Sequence, residues 1–141
     1  MKQIQELLNR YYEWVRCPSV RPVSDGWTEV TTQYVDRHGD HVQVYVRRDG
    51  DRYRMRDDGF SGLGSLKVDA DPPWNGIVAE TLRGFGIRQT ADGGLEVEAT
   101  AEDFAARLHG LIQSILAMDA YATVALRHEQ SQDDEEIGRS V

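Results

Sequence analysis

A chain of 141 residues with 40% apolar content can bury one core but is too short for two ordinary domains. Its net charge of -8 excludes generic binding to DNA or to an anionic membrane, because counterion release needs a basic surface. The lone cysteine, Cys17, excludes an intrachain disulfide framework, and the N-terminal stretch has neither a signal-peptide core nor the length of a membrane span. A soluble, cytoplasmic protein is the expectation. The charge is uneven: residues 1–60 carry ten basic and ten acidic side chains, and residues 61–141 carry six and fourteen. Any nucleic-acid contact has to use a local patch in the first half.

Ile4, Leu7, Leu8, Tyr11, Trp14 and Val15 recur at helical spacing, which predicts a first helix from Lys2 to Arg16 that buries one face and stops before Pro18. A loop with Pro18, Pro22 and Asp25-Gly26 follows. From Trp27 to Asp58 the composition turns to β-branched and aromatic residues, broken at His38-Gly39-Asp40 and Asp49-Gly50, which predicts a three-stranded antiparallel meander. A two-residue turn at Asp49-Gly50 matches Val46 with Tyr53, Val44 with Met55 and Val42 with Asp57. The other face then sets Arg47 opposite Arg52, Tyr45 opposite Arg54 and Gln43 opposite Arg56. One face is apolar and the other cationic, and a one-residue slip would exchange them. A bulge at Gly39 decides whether Val30, Thr32 and Tyr34 or Thr31, Gln33 and Val35 face the core.

Beyond Asp57-Asp58-Gly59 and a glycine-rich stretch, Asp71-Pro72-Pro73 opens a second helix, with Trp74, Ile77, Val78, Leu82 and Phe85 inward and Gly86 as a left-handed cap. Ile87–Ala91 and Leu95–Ala99 flank Asp92-Gly93-Gly94 as a short hairpin. Thr100 with Asp103 forms a capping box with the shorter acid. It opens a last helix whose core face is Phe104, Leu108, Leu111, Ile112, Ile115 and Leu116, ending near Leu126. The fold class is thus α+β in the order α-βββ-α-ββ-α, the sheet elements packed against two long amphipathic helices. Residues 1–128 form the single domain. Residues 129–141 are too poor in apolar groups to offset their ordering entropy and read as a disordered acidic tail.

Trp27 at the start of the first strand, the aliphatic strand around Val42–Val46, Asp57-Asp58-Gly59, Leu82 with Phe85-Gly86, Leu95 with Val97, and Phe104, Leu108, Ile112 and Ile115 together resemble the bacterial and phage domain of unknown function family 1828. The resemblance spans Trp27 to Met118. It implies a small cytosolic protein often carried by prophages or mobile elements, and it carries over no catalytic residues.

Asp57 falls on the apolar face, where a bare carboxylate is costly, so it needs donors or a changed pKa. A metal ligand or general base, with Asp58 and Glu96 or Glu98, is one role. The commoner one is a turn acceptor before the glycine-rich loop. A carboxylate-plus-lysine nuclease also needs a cation beside its acids, and Lys2 and Lys67 are the only lysines. His38, Asp40 and His41 crowd one turn at a spacing unlike zinc sites, and His109 and His128 stand about 28 Å apart on one helix. No metal or cofactor is therefore expected. Gly59, Gly62 and Gly64 around Ser61 and Ser65 lack the lysine of a phosphate loop. Cys17 suits packing better than nucleophilic work, since no base accompanies it.

The most informative feature is the face with Tyr45, Arg47, Arg52, Arg54 and Arg56. Like charges opposite one another destabilise a hairpin and need compensation, from Glu29, Asp36, the acidic second half, or an anionic partner. The composite expectation is a non-enzymatic interaction factor, of phage or mobile-element kind, that binds or inhibits a host or cognate protein, possible targets including nucleic-acid-handling ones. The rival is a metal-dependent nuclease or direct nucleic-acid binder using Asp57, Asp58, Glu96 and the arginine face. Nucleic acid would be met only through that face, and no membrane contact is expected.

Overall fold

A computed structural model describes residues 1–16, 19–58 and 74–139. In chain order these form α1 (Lys2–Val15), β1 (Ser19–Pro22), β2 (Thr28–Val35), β3 (His41–Asp49), β4 (Arg52–Asp57), α2 (Trp74–Phe85), β5 (Arg88–Gln89), β6 (Leu95–Thr100) and α3 (Phe104–Arg139). The strands make one antiparallel six-stranded sheet, ordered β1-β2-β3-β4-β6-β5. The predicted α-βββ-α-ββ-α sequence of elements is present with two changes. A further strand, β1, pairs with β2 at the sheet edge, and the second hairpin is no separate unit because β6 pairs with β4. Ser-Val-Arg-Pro carries no usable periodicity, being exposed throughout and ending in proline, a residue suited to edge strands.

The β3–β4 turn centres on Gly50-Asp51, with Asp49 opposite Arg52, so Val46 meets Met55 and Val44 meets Asp57. The register is thus two residues away from the one a turn at Asp49-Gly50 gives. Gly50 has φ 66° at the first central position, as a II′ turn requires of glycine. A shift of two preserves the faces: Val44 and Met55 are wholly buried, while Tyr45 pairs with Arg56 and Arg47 with Arg54 on the other side. In β2 it is Thr32 that is buried and Tyr34 that packs on the core, while Val35 is exposed. The irregularity lies within β2, between Thr31 and Val35, rather than at Gly39.

Val42, Val44 and Met55 meet Leu95 and Val97 of β6, Val78 and Leu82 of α2, and Leu111, Ile112, Ile115 and Met118 of α3 in one core. Each large side chain withdrawn from water there contributes about 1.5–3 kcal/mol before entropy. The helix ends are set by local chemistry. Gly86, at φ 69°, donates to the Arg83 carbonyl at 3.1 Å and Ile87 donates to Leu82 at 2.9 Å, which is a Schellman stop with Ile87 buried behind it. Thr100 and Asp103 form the predicted reciprocal cap: the Thr100 N–H donates to Asp103 Oδ1 at 2.6 Å and the Asp103 N–H donates to Thr100 Oγ1 at 3.3 Å.

Two expectations about the ends of the chain differ from the structure. The apolar stripe of α1 does not face the core: the helix has no buried residue, and Ile4, Leu7, Tyr11 and Trp14 are each more than half exposed. The helices that cover the sheet are α2 and α3. At the other end, where a disordered tail is predicted from residue 129, the backbone continues α3 to Arg139. Among the side chains described there, Ser131, Asp133, Asp134 and Glu135 are exposed. Among the described residues no helix is long and apolar enough to cross a membrane.

A charged candidate site on the sheet face away from the helices

Strand alternation sends every second residue to the face opposite α2 and α3, and the register aligns these residues across the whole sheet. Arg21 stands opposite Glu29, Glu29 opposite Tyr45, Tyr45 opposite Arg56, Arg56 opposite Glu96 and Glu96 opposite Arg88. Acidic and basic side chains are interleaved along this row, with the Tyr45 phenol between Glu29 and Arg56. Glu29 accepts from Arg21 Nη2 at 2.9 Å and from the Tyr45 hydroxyl at 3.0 Å. Glu96, almost fully buried, holds Arg54 at 2.6 Å and Arg88 at 3.4 Å. The arginine face is therefore compensated from within, by Glu29 of the second strand and by Glu96 of the acidic half. Asp36 plays no part in this; its Oδ1 takes the N–H groups of His38 and Asp40 at 2.8 and 3.1 Å in the β2–β3 turn.

A tryptophan anchors the centre of the cationic cluster. The guanidinium carbons of Arg56, Arg47 and Arg54 lie 4.5, 4.8 and 5.9 Å from the centroid of the Trp27 ring, within cation–π range. Trp27 follows a turn in which Asp25 and Gly26 both take positive φ, 61° and 78°. Val23 N–H donates to the Trp27 carbonyl at 2.9 Å, closing that turn and fixing where the ring enters the face. Tyr45 is half-buried, and its phenol is held above the ordinary value, first by burial and then by its hydrogen bond to the Glu29 carboxylate. The bond to Glu96 raises Arg54 further. Arg52 and Arg56 are the exposed members of the set, and Arg47 is tied to Asp49 at 3.1 Å.

A cleft of about 470 Å³ opens beside this cluster, lined by Tyr45, Arg54, Arg56, Asp58, Asp92 and Glu96 among others. Its far wall is the β5–β6 turn. Thr90 and Asp92 are hydrogen-bonded through Oγ1 and Oδ1, and the Asp92 carboxyl is held below the usual range by that bond and then by the Gly94 N–H. Position 94 is tight: an added Cβ would stand 3.1–3.3 Å from Thr90 Oγ1, Asp57 Oδ1 and Asp92 Oδ1, so these side chains would have to give by a few tenths of an ångström.

The catalytic candidates reach the cleft from different faces of the sheet. Asp57 shares the core face with Met55, is nearly inaccessible, and accepts the Leu95 N–H at 3.1 Å, a backbone bond from β6 rather than from within the expected turn. Glu96 projects from the opposite face, paired to arginines. The two carboxylates leave opposite faces of the sheet, yet Asp57, Asp58 and Glu96 all line the cleft. Among the described residues no three His, Cys, Asp or Glu side chains converge as metal ligands. His41 Nδ1 lies 2.7 Å from the Thr32 carbonyl, and His38 Nε2 accepts from Arg37 Nε at 3.1 Å. Cys17, the stretch from Gly59 to Ser65, and Asp71-Pro72-Pro73 lie outside the described residues.

Two contacts have no counterpart in the sequence reading. Trp27 as a platform for three arginines is one, although its parity with Glu29 places it on the polar face. The other is the buried Asp119 of α3, which accepts the Arg37 N–H at 2.8 Å and ties the β2–β3 turn to the helix. Only a contact 82 residues distant in sequence reveals it.

The family model described as "Domain of unknown function DUF1828" matches residues 32–118. The chain belongs to that family. The match ends at Met118, as the resemblance does, and begins five residues after Trp27, so α1, β1, Trp27 and Glu29 lie before the matched stretch. No curated protein and no solved structure matches the chain.

Proposed function

We propose that this chain is a non-enzymatic protein-interaction factor that holds its partner through the Trp27, Tyr45 and arginine cluster on the sheet face away from α2 and α3. Pre-ordering is the observation that carries this: three arginines are laid against one indole ring, and Tyr45 is fixed by Glu29. Tryptophan, tyrosine and arginine dominate interface hot spots, and side chains already immobilised cost little further entropy on binding. Glu29 and Glu96 cancel much of the local positive charge, which suits a folded protein offering a few carboxylates to Arg52 and Arg56 better than a polyanion. The family resemblance extends the proposal to an accessory factor of phages or mobile elements that binds or inhibits a host or cognate protein. A nucleic-acid-handling target would present a basic surface to the acidic second half.

Capture of partners by the tagged full chain from its native host tests this. Replacing Arg52 and Arg56 with alanine should weaken capture at least about tenfold, with added salt acting in the same direction. Arg54 is left in place because it anchors Glu96. Full capture by the double variant would remove the arginine face from the proposal. Cleavage of nucleic acid with Mg²⁺ or Mn²⁺, lost in Asp57→Asn at unchanged stability, would replace it with the nuclease reading.

A further inference from the structure

Within the arginine cluster, Arg56 is the member whose donors stay uncommitted beside the cleft. Arg54 is taken by Glu96 and Arg47 by Asp49, whereas among the described residues Arg56 has no ion pair and lies against Trp27, 4.5 Å from the ring centroid. Its side chain is exposed and forms part of the wall of the cleft of about 470 Å³. That volume falls within the roughly 300–1,000 Å³ of small-ligand sites. Building on the partner-binding reading above, we propose that this cleft takes a carboxylate and an ammonium group together, presented by an acidic residue and a neighbouring lysine of the partner's chain.

Three observations select that chemistry. The first is the guanidinium of Arg56. Its planar fork matches a carboxylate, and stacking on the indole ring orders it before the ligand arrives. The second is the charge of the lining. Among the described residues Asp57, Asp58, Asp92 and Glu96 set four carboxylates against the two guanidinium groups of Arg54 and Arg56. With Glu96 neutralised by Arg54, three acids still share the cleft with Arg56. A dianionic phosphate is repelled from such a lining, and a carboxylate enters best when it brings a cation with it. A cation alone would face the Arg56 guanidinium. The third is the far wall. Asp92 meets Thr90 and the Gly94 N–H through Oδ1 alone, which leaves Oδ2 for an ammonium group. One wall thus donates to an anion and the opposite wall accepts from a cation, and both groups have to fit one cleft, so they come from neighbouring residues.

Heteronuclear NMR titration of the isotopically labelled full chain with N-acetyl-glutamyl-lysine amide tests the assignment. The expected result is a saturable shift of the Arg56 side-chain N–H and the Gly94 amide. Exchanging either the glutamate or the lysine of the probe for glutamine should weaken binding about two- to fivefold, the worth of one exposed ion pair. Arg56→Gln should remove the dependence on the glutamate. Asp92→Asn, which keeps an oxygen for Thr90 and the Gly94 N–H, should remove the dependence on the lysine. Equal binding of all three peptides would overturn the proposal, as would no saturable shift with the first, or inorganic phosphate binding more tightly than it. The dipeptide reports on the cleft alone. A chain that captures its partner through Arg52 and Arg56 yet ignores the dipeptide refutes this inference and leaves the partner reading standing, whereas a chain that binds the dipeptide but captures nothing through those arginines refutes the partner reading.

Discussion

Glu96→Gln should lower stability by about 1–2 kcal/mol, more than any single exposed arginine on the same face. Removing one member of a fully buried ion pair costs about 3–5 kcal/mol, because the survivor stays charged and desolvated. Here the survivors are partly wet: Arg54 is 33% exposed and Arg88 67%. Water takes over part of their solvation, and glutamine keeps one oxygen near Arg54, so the estimate falls to about 1–2 kcal/mol. For a domain of this size that corresponds to a melting temperature lower by roughly 3–8 °C. Arg88→Gln should cost less than about 0.5 kcal/mol, since it severs only the longer and more exposed contact. Urea unfolding of the wild type, both single variants, Arg54→Gln and the Arg54/Glu96 double variant gives the coupling directly. If Glu96→Gln costs no more than Arg88→Gln, the carboxylate is hydrated and the burial argument fails.

Asp57→Asn should destabilise by about 1–3 kcal/mol in the same urea assay, because a weaker acceptor then faces the buried Leu95 N–H. Asp103 is held below the ordinary 3.8, chiefly by the Thr100 N–H, so its contribution is present above that value and is lost as pH falls through the lower folded one. Asp103→Asn should therefore flatten the acid limb of a stability profile below pH 4 and leave the neutral region with a smaller native advantage. Tyr45 has the opposite sign: raised above 10.0, it contributes fully below that pH and loses the contribution as pH climbs through its folded value. Tyr45→Phe should make the alkaline decline shallower and remove the late-ionising phenol from an absorbance titration. Deleting residues 130–141 should cost helical dichroism but shift the melting temperature by no more than a few degrees, since the described side chains there are exposed.

Features fixed by local chemistry are legible in the sequence. The separation of Val44 and Met55 from Tyr45 and the arginines follows from a period of two, and it survives the register shift because the shift is even. Gly86 and the Thr100–Asp103 cap are legible for the same reason, each being set within a few residues. The turn itself is not, because Asp49-Gly50 and Gly50-Asp51 both satisfy turn composition and only the backbone sign at Gly50 and Asp51 separates them. The stripe on α1 has the periodicity of a core helix, and periodicity records that a face is to be covered without recording by what. At the site, the residue types on the arginine face and the compensating role of Glu29 are readable from strand parity. Glu96 as their main counter-charge is not, since it depends on β6 pairing with β4 across 42 residues. Asp57 is correctly placed inward by alternation, while its donor, Leu95, comes from that same distant strand.

The row from Arg21 to Arg88 limits how this protein can diverge. Each of its acids serves two neighbours, Glu29 between Arg21 and Tyr45 and Glu96 between Arg54 and Arg88. Loss of either acid leaves two groups uncompensated at once, while loss of a single outer arginine leaves its acid with another partner. Relatives should therefore vary freely at the two ends of the row and change at the acids only together with their neighbours. That pattern of paired substitution would be visible across a set of homologous sequences with no structure in hand.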